Sequence, residues 1–154
     1  MTRRIRKPVK DLDAFKRLLD AQGLKATPQR IAIHTAMIEL VHASAEQVYE
    51  HVIKSGACNI SQVSVYNTLS DLAGRGIYAR RFSSNNKMFF DINTYKHVHL
   101  YDTRNHNIMD VEADDLVELV ENGLKGRRFR GYKIDGFEVQ LLCHPTRKGP
   151  ARKA

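Results

Sequence analysis

The 154 residues contain only two cysteines, Cys58 and Cys143. That excludes a disulfide framework and a site built on several thiolates, and leaves both thiols as buried or idle side chains. No stretch approaches the roughly 18 consecutive apolar residues of a membrane span. The opening segment, Met1-Thr-Arg-Arg-Ile-Arg-Lys-Pro8, lacks the apolar core of a signal peptide. The expectation is a soluble, cytoplasmic protein with no membrane partner. A nucleophile elbow, a P-loop and a dinucleotide fingerprint are all missing, which argues against an enzyme. No internal repeat is visible.

What is present points to a folded chain with a polyanionic partner. Hydrophobic residues make up 42% and charged residues 27%, enough apolar surface to close a core. The formal charge is +8 and the isoelectric point near 9.7, as suits a protein that displaces counterions from nucleic acid. The excess is uneven: residues 1–90 hold 14 Lys and Arg against 7 Asp and Glu, while residues 91–154 hold 11 against 10. Such asymmetry predicts a nucleic-acid-binding first half and a second half with another task.

Local signals divide the chain further. After a basic arm (Arg3, Arg4, Arg6, Lys7, Lys10), Val9, Leu12, Phe15, Leu18 and Leu19 recur at helical spacing up to Gly23. Thr27-Pro28 opens a second helix, Ser44-Ala-Glu-Gln47 reads as the capping box of a third, and Ser61 caps a fourth that carries Val65, Leu69 and Leu72. Two β-rich runs, Ile77 to Phe82 and Lys87 to Ile92, flank the polar Ser83-Ser-Asn-Asn86 and read as a hairpin. Helices followed by a hairpin make a winged helix, with Arg80, Arg81 and Lys87 on the wing available to phosphates.

Beyond a hinge at 93–96 come strands near Val98–Asp102 and Ile108–Val111, an acidic helix from about Ala113 to Lys125, and an alternating run from Tyr132 to Cys143 that reads as one long strand. The predicted class is therefore α+β. A winged helix-turn-helix domain (1–92, arm included) precedes a small α/β module (97–144) and a basic tail (145–154). A β-β-α-β module of that size buries little core alone and its sheet edges invite a second copy, so a homodimer is expected.

Chemistry concentrates in two places. The fourth helix begins Gln62-Val-Ser64-Val-Tyr66-Asn67, short and polar side chains around a tyrosine, as a recognition helix presents to base edges; a plain surface helix is the alternative. His97 and His99 alternate along a strand, so both imidazoles can share one face and chelate a borderline divalent ion; two solvated histidines are the bland alternative. His106 reads as a loop residue, and His34, His51 and His144 as surface or packing residues.

Three ordered blocks carry a specific resemblance: Gly23-Leu-Lys25-Ala-Thr-Pro28-Gln-Arg30, His42-Ala-Ser-Ala-Glu46-Gln-Val-Tyr49 and Val63-Ser-Val-Tyr66-Asn-Thr-Leu69. With Phe90-Asp91 and His97-Val-His99-Leu, they resemble the ferric uptake regulator family from about residue 12 to 143. The resemblance implies a dimeric winged-helix regulator of double-stranded DNA whose affinity depends on a metal held between its domains. Carried over by position, Tyr66 would contact bases, and Arg30 with Lys25 the phosphates. His42 and Asp91 would join His97 and His99 as ligands, and Asp110 resembles the fifth ligand of the peroxide-sensing branch. Three imidazoles with two carboxylates suit iron(II), manganese(II) or zinc.

There are departures. Tyr101-Asp-Thr-Arg104 stands where most members carry the Cys-x-x-Cys of a structural zinc, and Asp135-Gly-Phe137 where a further histidine often lies. The missing cysteines resemble the iron-response branch, which senses haem, yet Val98 stands where that branch usually has the middle of three histidines. Haem stays open as a cofactor on this reading. A general nucleic-acid-binding protein using the arm and tail is the alternative from a different class.

Overall fold

The computed structural model describes residues 11–147. The arm cations, Val9 and residues 148–154 of the tail lie outside the described residues. The chain divides into two compact units between Tyr95 and Lys96.

In the first unit the caps form as their side chains dictate. Asp11 accepts the Ala14 N–H at 2.6 Å and starts α1 (Leu12–Ala21). Gly23, at φ +69, closes it: the Gly23 N–H donates to Asp20 O and the Leu24 N–H to Leu19 O, the paired bonds of a left-handed helix stop. Thr27 caps α2 (Pro28–Leu40). Ser44 and Gln47 complete the predicted capping box of α3 (Ala45–Ser55), and Ser61 caps α4 (Gln62–Gly74). Gly76, at φ +78, repeats the stop after α4 and delivers Ile77 and Tyr78 into the interior.

These helices pack around one core that includes Phe15, Leu19, Ile33, Met37, Val48, Val65, Leu69 and Leu72. Truncating a buried leucine of this kind to alanine costs about 2–5 kcal/mol. His34 is fully buried here, a packing residue rather than a surface one. His51, by contrast, lies near the surface and pairs with Glu39 at 2.6 Å.

The wing strands are β2 (Ala79–Phe82) and β3 (Met88–Asp91). The sequence reading expected two strands; there are three. The two-residue β1 (His42–Ala43) pairs with the other side of β3, giving the order β1-β3-β2 and setting His42 opposite Asp91.

In the second unit β4 (Val98–Asp102) is flanked by antiparallel β5 (Asn107–Val111) and parallel β6 (Val139–Cys143), with α5 (Asp114–Leu124) between β5 and β6 in sequence. The long strand expected from Tyr132 is a correction: only its last five residues pair with β4. The parallel ladder begins with Val98 against Val139, so residues before Val139 have no strand of β4 beside them. Instead Phe129 and Tyr132 bridge across a tight turn with Gly131 at φ +83, and Tyr132 stands 81% exposed. Among the described residues the buried apolar side chains of this unit are Val98, Tyr101, Ile108 and Val117.

Candidate metal centre and nucleic-acid face

The predicted DNA-contacting residues all belong to the first unit. Ser61 Oγ accepts the Ser64 N–H at 3.1 Å and donates to Ser64 Oγ at 2.9 Å, so Ser64 serves the helix start as well as its surface. Gln62, Tyr66 and Asn67 are exposed beyond that cap. Tyr66 rests edge-on against Phe90, ring centres 6.5 Å apart, with 46% of its surface open. A phenol braced at its base and open at its tip has little rotamer freedom left to lose on meeting a base.

The cations divide. Arg30 donates to Lys25 O at 2.7 Å, which holds the guanidinium near the exposed Lys25. Arg80 donates to Ser70 O of α4 at 3.0 Å while remaining exposed, and Lys87 lies 5.6 Å over the Phe89 ring. Arg81 is a correction. Neighbouring residues of a strand face opposite sides, and Arg81 turns to Asp91, Nε to Oδ2 at 3.3 Å, rather than to solvent phosphates. It also donates to Asn93 O and Tyr95 O.

Asp91 is fully buried. One of its oxygens accepts the Asn93 N–H at 2.8 Å; the other faces Arg81 and, at 3.4 Å, His42 Nε2. His42 is delivered by an unusual residue. Val41, the C-cap of α2, sits at φ +62 and ψ −56, a region that β-branched residues rarely adopt. Its carbonyl accepts the Ile92 N–H, so the strained corner is locked to the strand that carries Asp91.

The second unit assembles its own donors. His99 and Asp110 are direct partners across β4 and β5. His97, just before β4, brings its ring to 4.2 Å from that of His99. Asp110 Oδ1 stands 2.9 Å from His97 Nε2 and 3.4 Å from His99 Nε2. Both histidine side chains are almost completely buried, 1% and 5% exposed, and the ligand atoms of the three residues lie within 4.8 Å of one another. Two buried imidazole nitrogens converging on one carboxylate oxygen fit a divalent ion of the borderline class: nitrogen and oxygen donors, no thiolate, and a carboxylate to offset its charge.

The turn that follows β4 has its own bonds. Asp102 accepts the backbone N–H groups of Arg104 and Asn105 and the Asn105 side chain, while Thr103 donates twice to Cys143 O. The Asn105 side-chain bond, helped by the backbone bonds, holds the Asp102 carboxyl below its usual range. His106, read as a loop residue, is exposed but bonds the Tyr101 hydroxyl at 2.8 Å.

The sequence profile described as the Ferric uptake regulator family matches residues 21–141. The chain is 30% identical over 98 residues to the peroxide-responsive repressor PerR of Staphylococcus aureus, covering 63% of this chain and 66% of that protein, a little under two thirds of its length. Among solved structures it is similar to the Vibrio cholerae ferric uptake regulator, with a TM-score of 0.68 at 23% identity over 84% of this chain and 98% of that one. It is also similar to a zinc-bound manganese uptake regulator, with a TM-score of 0.67 at 22% identity over 85% of this chain and 98% of that one. At such identities the structural likeness speaks for the fold.

Proposed function

The chain belongs to the ferric uptake regulator family, and from that premise we propose that it is a metal-responsive regulator of transcription, binding double-stranded DNA in the cytoplasm as a homodimer and not acting as an enzyme. The ligand set is His42 and Asp91 from the first unit with His97, His99 and Asp110 from the second. The ion is iron(II), manganese(II) or zinc. The observation that carries the reading is the convergence of His97 and His99 Nε2 on Asp110 Oδ1 in a buried place.

The ion supplies a concentrated positive charge that several donors can share. Everything else is done by the chain. His99 and Asp110 are held in register by the β4–β5 ladder, with His97 immediately before it, and His42 and Asp91 by the β1–β3 pair. Drawing on both sets favours one arrangement of the units, and DNA that fits that arrangement better is bound more tightly in its presence. On the DNA side Tyr66, Gln62, Ser64 and Asn67 offer base contacts, while Lys25, Arg30, Arg80 and Lys87 neutralise phosphates. The apolar side chains left open on the second unit, Leu119 (67% exposed) and Leu142 (63%) among them, support pairing with another copy. The targets are genes of iron, manganese, haem or peroxide-stress handling.

The deciding experiment measures DNA affinity of the whole protein with and without iron(II), manganese(II), zinc and haem, beside the His99→Ala variant. Metal should tighten binding to operator DNA but not to random duplex, and His99→Ala should abolish that gain while circular dichroism stays unchanged. Equal binding to both duplexes regardless of metal favours a general nucleic-acid binder instead. A response to haem alone would transfer the sensor role to haem.

A further inference from the structure

Both oxygens of the Asp91 carboxylate are engaged within its own unit: Oδ1 accepts the Asn93 N–H at 2.8 Å, and Oδ2 faces Arg81 Nε at 3.3 Å. Arg81 is itself largely buried, its side chain 14% exposed. Its Nη2 donates to both Asn93 O at 3.3 Å and Tyr95 O at 3.4 Å. One guanidinium therefore holds a proposed metal ligand and the backbone of residues 93–95, where the first unit ends. A guanidinium stays charged at any physiological pH and its planar fork can serve several acceptors at once. Wherever Asp91 Oδ2 is offered to a divalent ion, the Arg81 charge competes for that oxygen and opposes the incoming charge at short range, in surroundings that screen poorly.

Resting on the metal reading above, we propose that Arg81 is a positioning residue that lowers the affinity of the centre for its ion and couples the hold on Asp91 to the backbone of residues 93–95. Two carboxylates in the ligand set would otherwise bind a divalent ion more tightly than a reversible sensor needs. Arg81 offsets one of them. Loss of Oδ2 to an ion frees Nε while Nη2 keeps the Asn93 and Tyr95 carbonyls, so the restraint on that segment changes with occupancy.

Two variants of the full-length protein separate charge from geometry. Arg81→Met removes the charge and keeps the length of the stem; Arg81→Lys keeps the charge and loses the fork. Manganese(II) and zinc affinities are measured by competition with a chelator, and amide hydrogen exchange is followed over residues 93–96 with and without metal. Arg81→Met should bind manganese(II) about tenfold tighter or more, while Arg81→Lys stays near the wild-type affinity. Exchange at 93–96 should respond to metal in the wild type and lose that response in both variants. A merely structural role predicts weaker metal binding in Arg81→Met. Unchanged or weaker affinity in a folded Arg81→Met protein, or a Lys variant as tight as the Met variant, overturns the proposal while leaving the metal reading intact. Arg81→Gln gives the same reading should Arg81→Met fail to fold. Absence of metal binding in the wild type overturns both.

Discussion

His34 gives the fold a measurable acid weakness. Its ring is fully buried, stacked on Phe15 at 3.9 Å, with Nδ1 2.8 Å from the Tyr78 hydroxyl. Burial also pushes the Tyr78 phenol up, so it stays a neutral donor, and the imidazole that accepts from it carries its proton on Nε2. Nε2 has no hydrogen-bond partner among the described residues. Desolvation lowers the pKa from 6.5 to about 4, against a smaller opposing pull from the Asp11 carboxylate. Because the folded-state value is the lower one, the unfolded chain takes up the proton first as pH falls. Stability is fully present above about pH 6.5, declines below it, and levels off under about pH 4. The loss amounts to about 1 kcal/mol at pH 5.5 and about 2–3 kcal/mol at pH 4.5.

Urea unfolding with metal chelated, at about pH 7, 5.5 and 4.5, tests this in the wild type and in His34→Leu combined with Tyr78→Phe. The second change removes a hydroxyl that would otherwise be stranded in the core at a cost of about 1–3 kcal/mol. Any pH-independent offset drops out, since the reading is the slope. The double variant should lose less stability on acidification by the amounts just given. Parallel decline of the two proteins would refute the assignment of a neutral buried His34. The same pair bears on the proposed metal site: ligating imidazoles must be deprotonated, so acid loss of DNA binding that persists in the double variant is the outcome expected of the proposed ligands and not of the His34 core.

Tyr66→Ala should weaken operator binding by about 1–3 kcal/mol and leave random duplex almost untouched, whereas Arg80→Ala should weaken both alike and make the salt dependence shallower by about one counterion; fluorescence anisotropy across a salt series reads both. Asp102→Ala should lower the melting temperature at neutral pH. Since the folded carboxyl titrates below its ordinary value, its contribution is present above the carboxylate range and is lost as pH falls through the folded pKa, so calorimetry should show the gap to the wild type closing in acid.

The helices of the first unit were legible because their start signals act over three residues. Thr27, Ser44 with Gln47, and Ser61 each bind a backbone N–H of their own first turn, so the sequence contains both partners side by side. β1 was not legible: two residues carry no periodicity, and His42–Ala43 become a strand only because β3 passes beside them. Arg81 misled for a related reason. Its chain neighbour Arg80 is the outward one, and the partner that draws Arg81 inward, Asp91, lies ten residues away across the hairpin. For Tyr132 to Phe137 the alternation reported β propensity correctly, but propensity does not supply a neighbouring strand.

The same distinction bears on how the second unit manages without a cysteine-bound zinc. A bound metal would cross-link its turn by coordination; here Asp102 gathers three N–H donors of the turn, and Thr103 ties it to the last residue of β6 through Cys143 O. Those bonds fix the turn locally and bury no apolar surface. Burial, at roughly 25 cal/mol per Å2, is the dominant driving force for a small module, and this one leaves Leu119, Leu141 and Leu142 open. Hydrogen bonds of this kind contribute about 0.5–1.5 kcal/mol each net, too little to stand in for the missing core. The homodimer proposed above would cover these leucines and add the burial that the hydrogen bonds do not supply, in the unit that carries His97, His99 and Asp110.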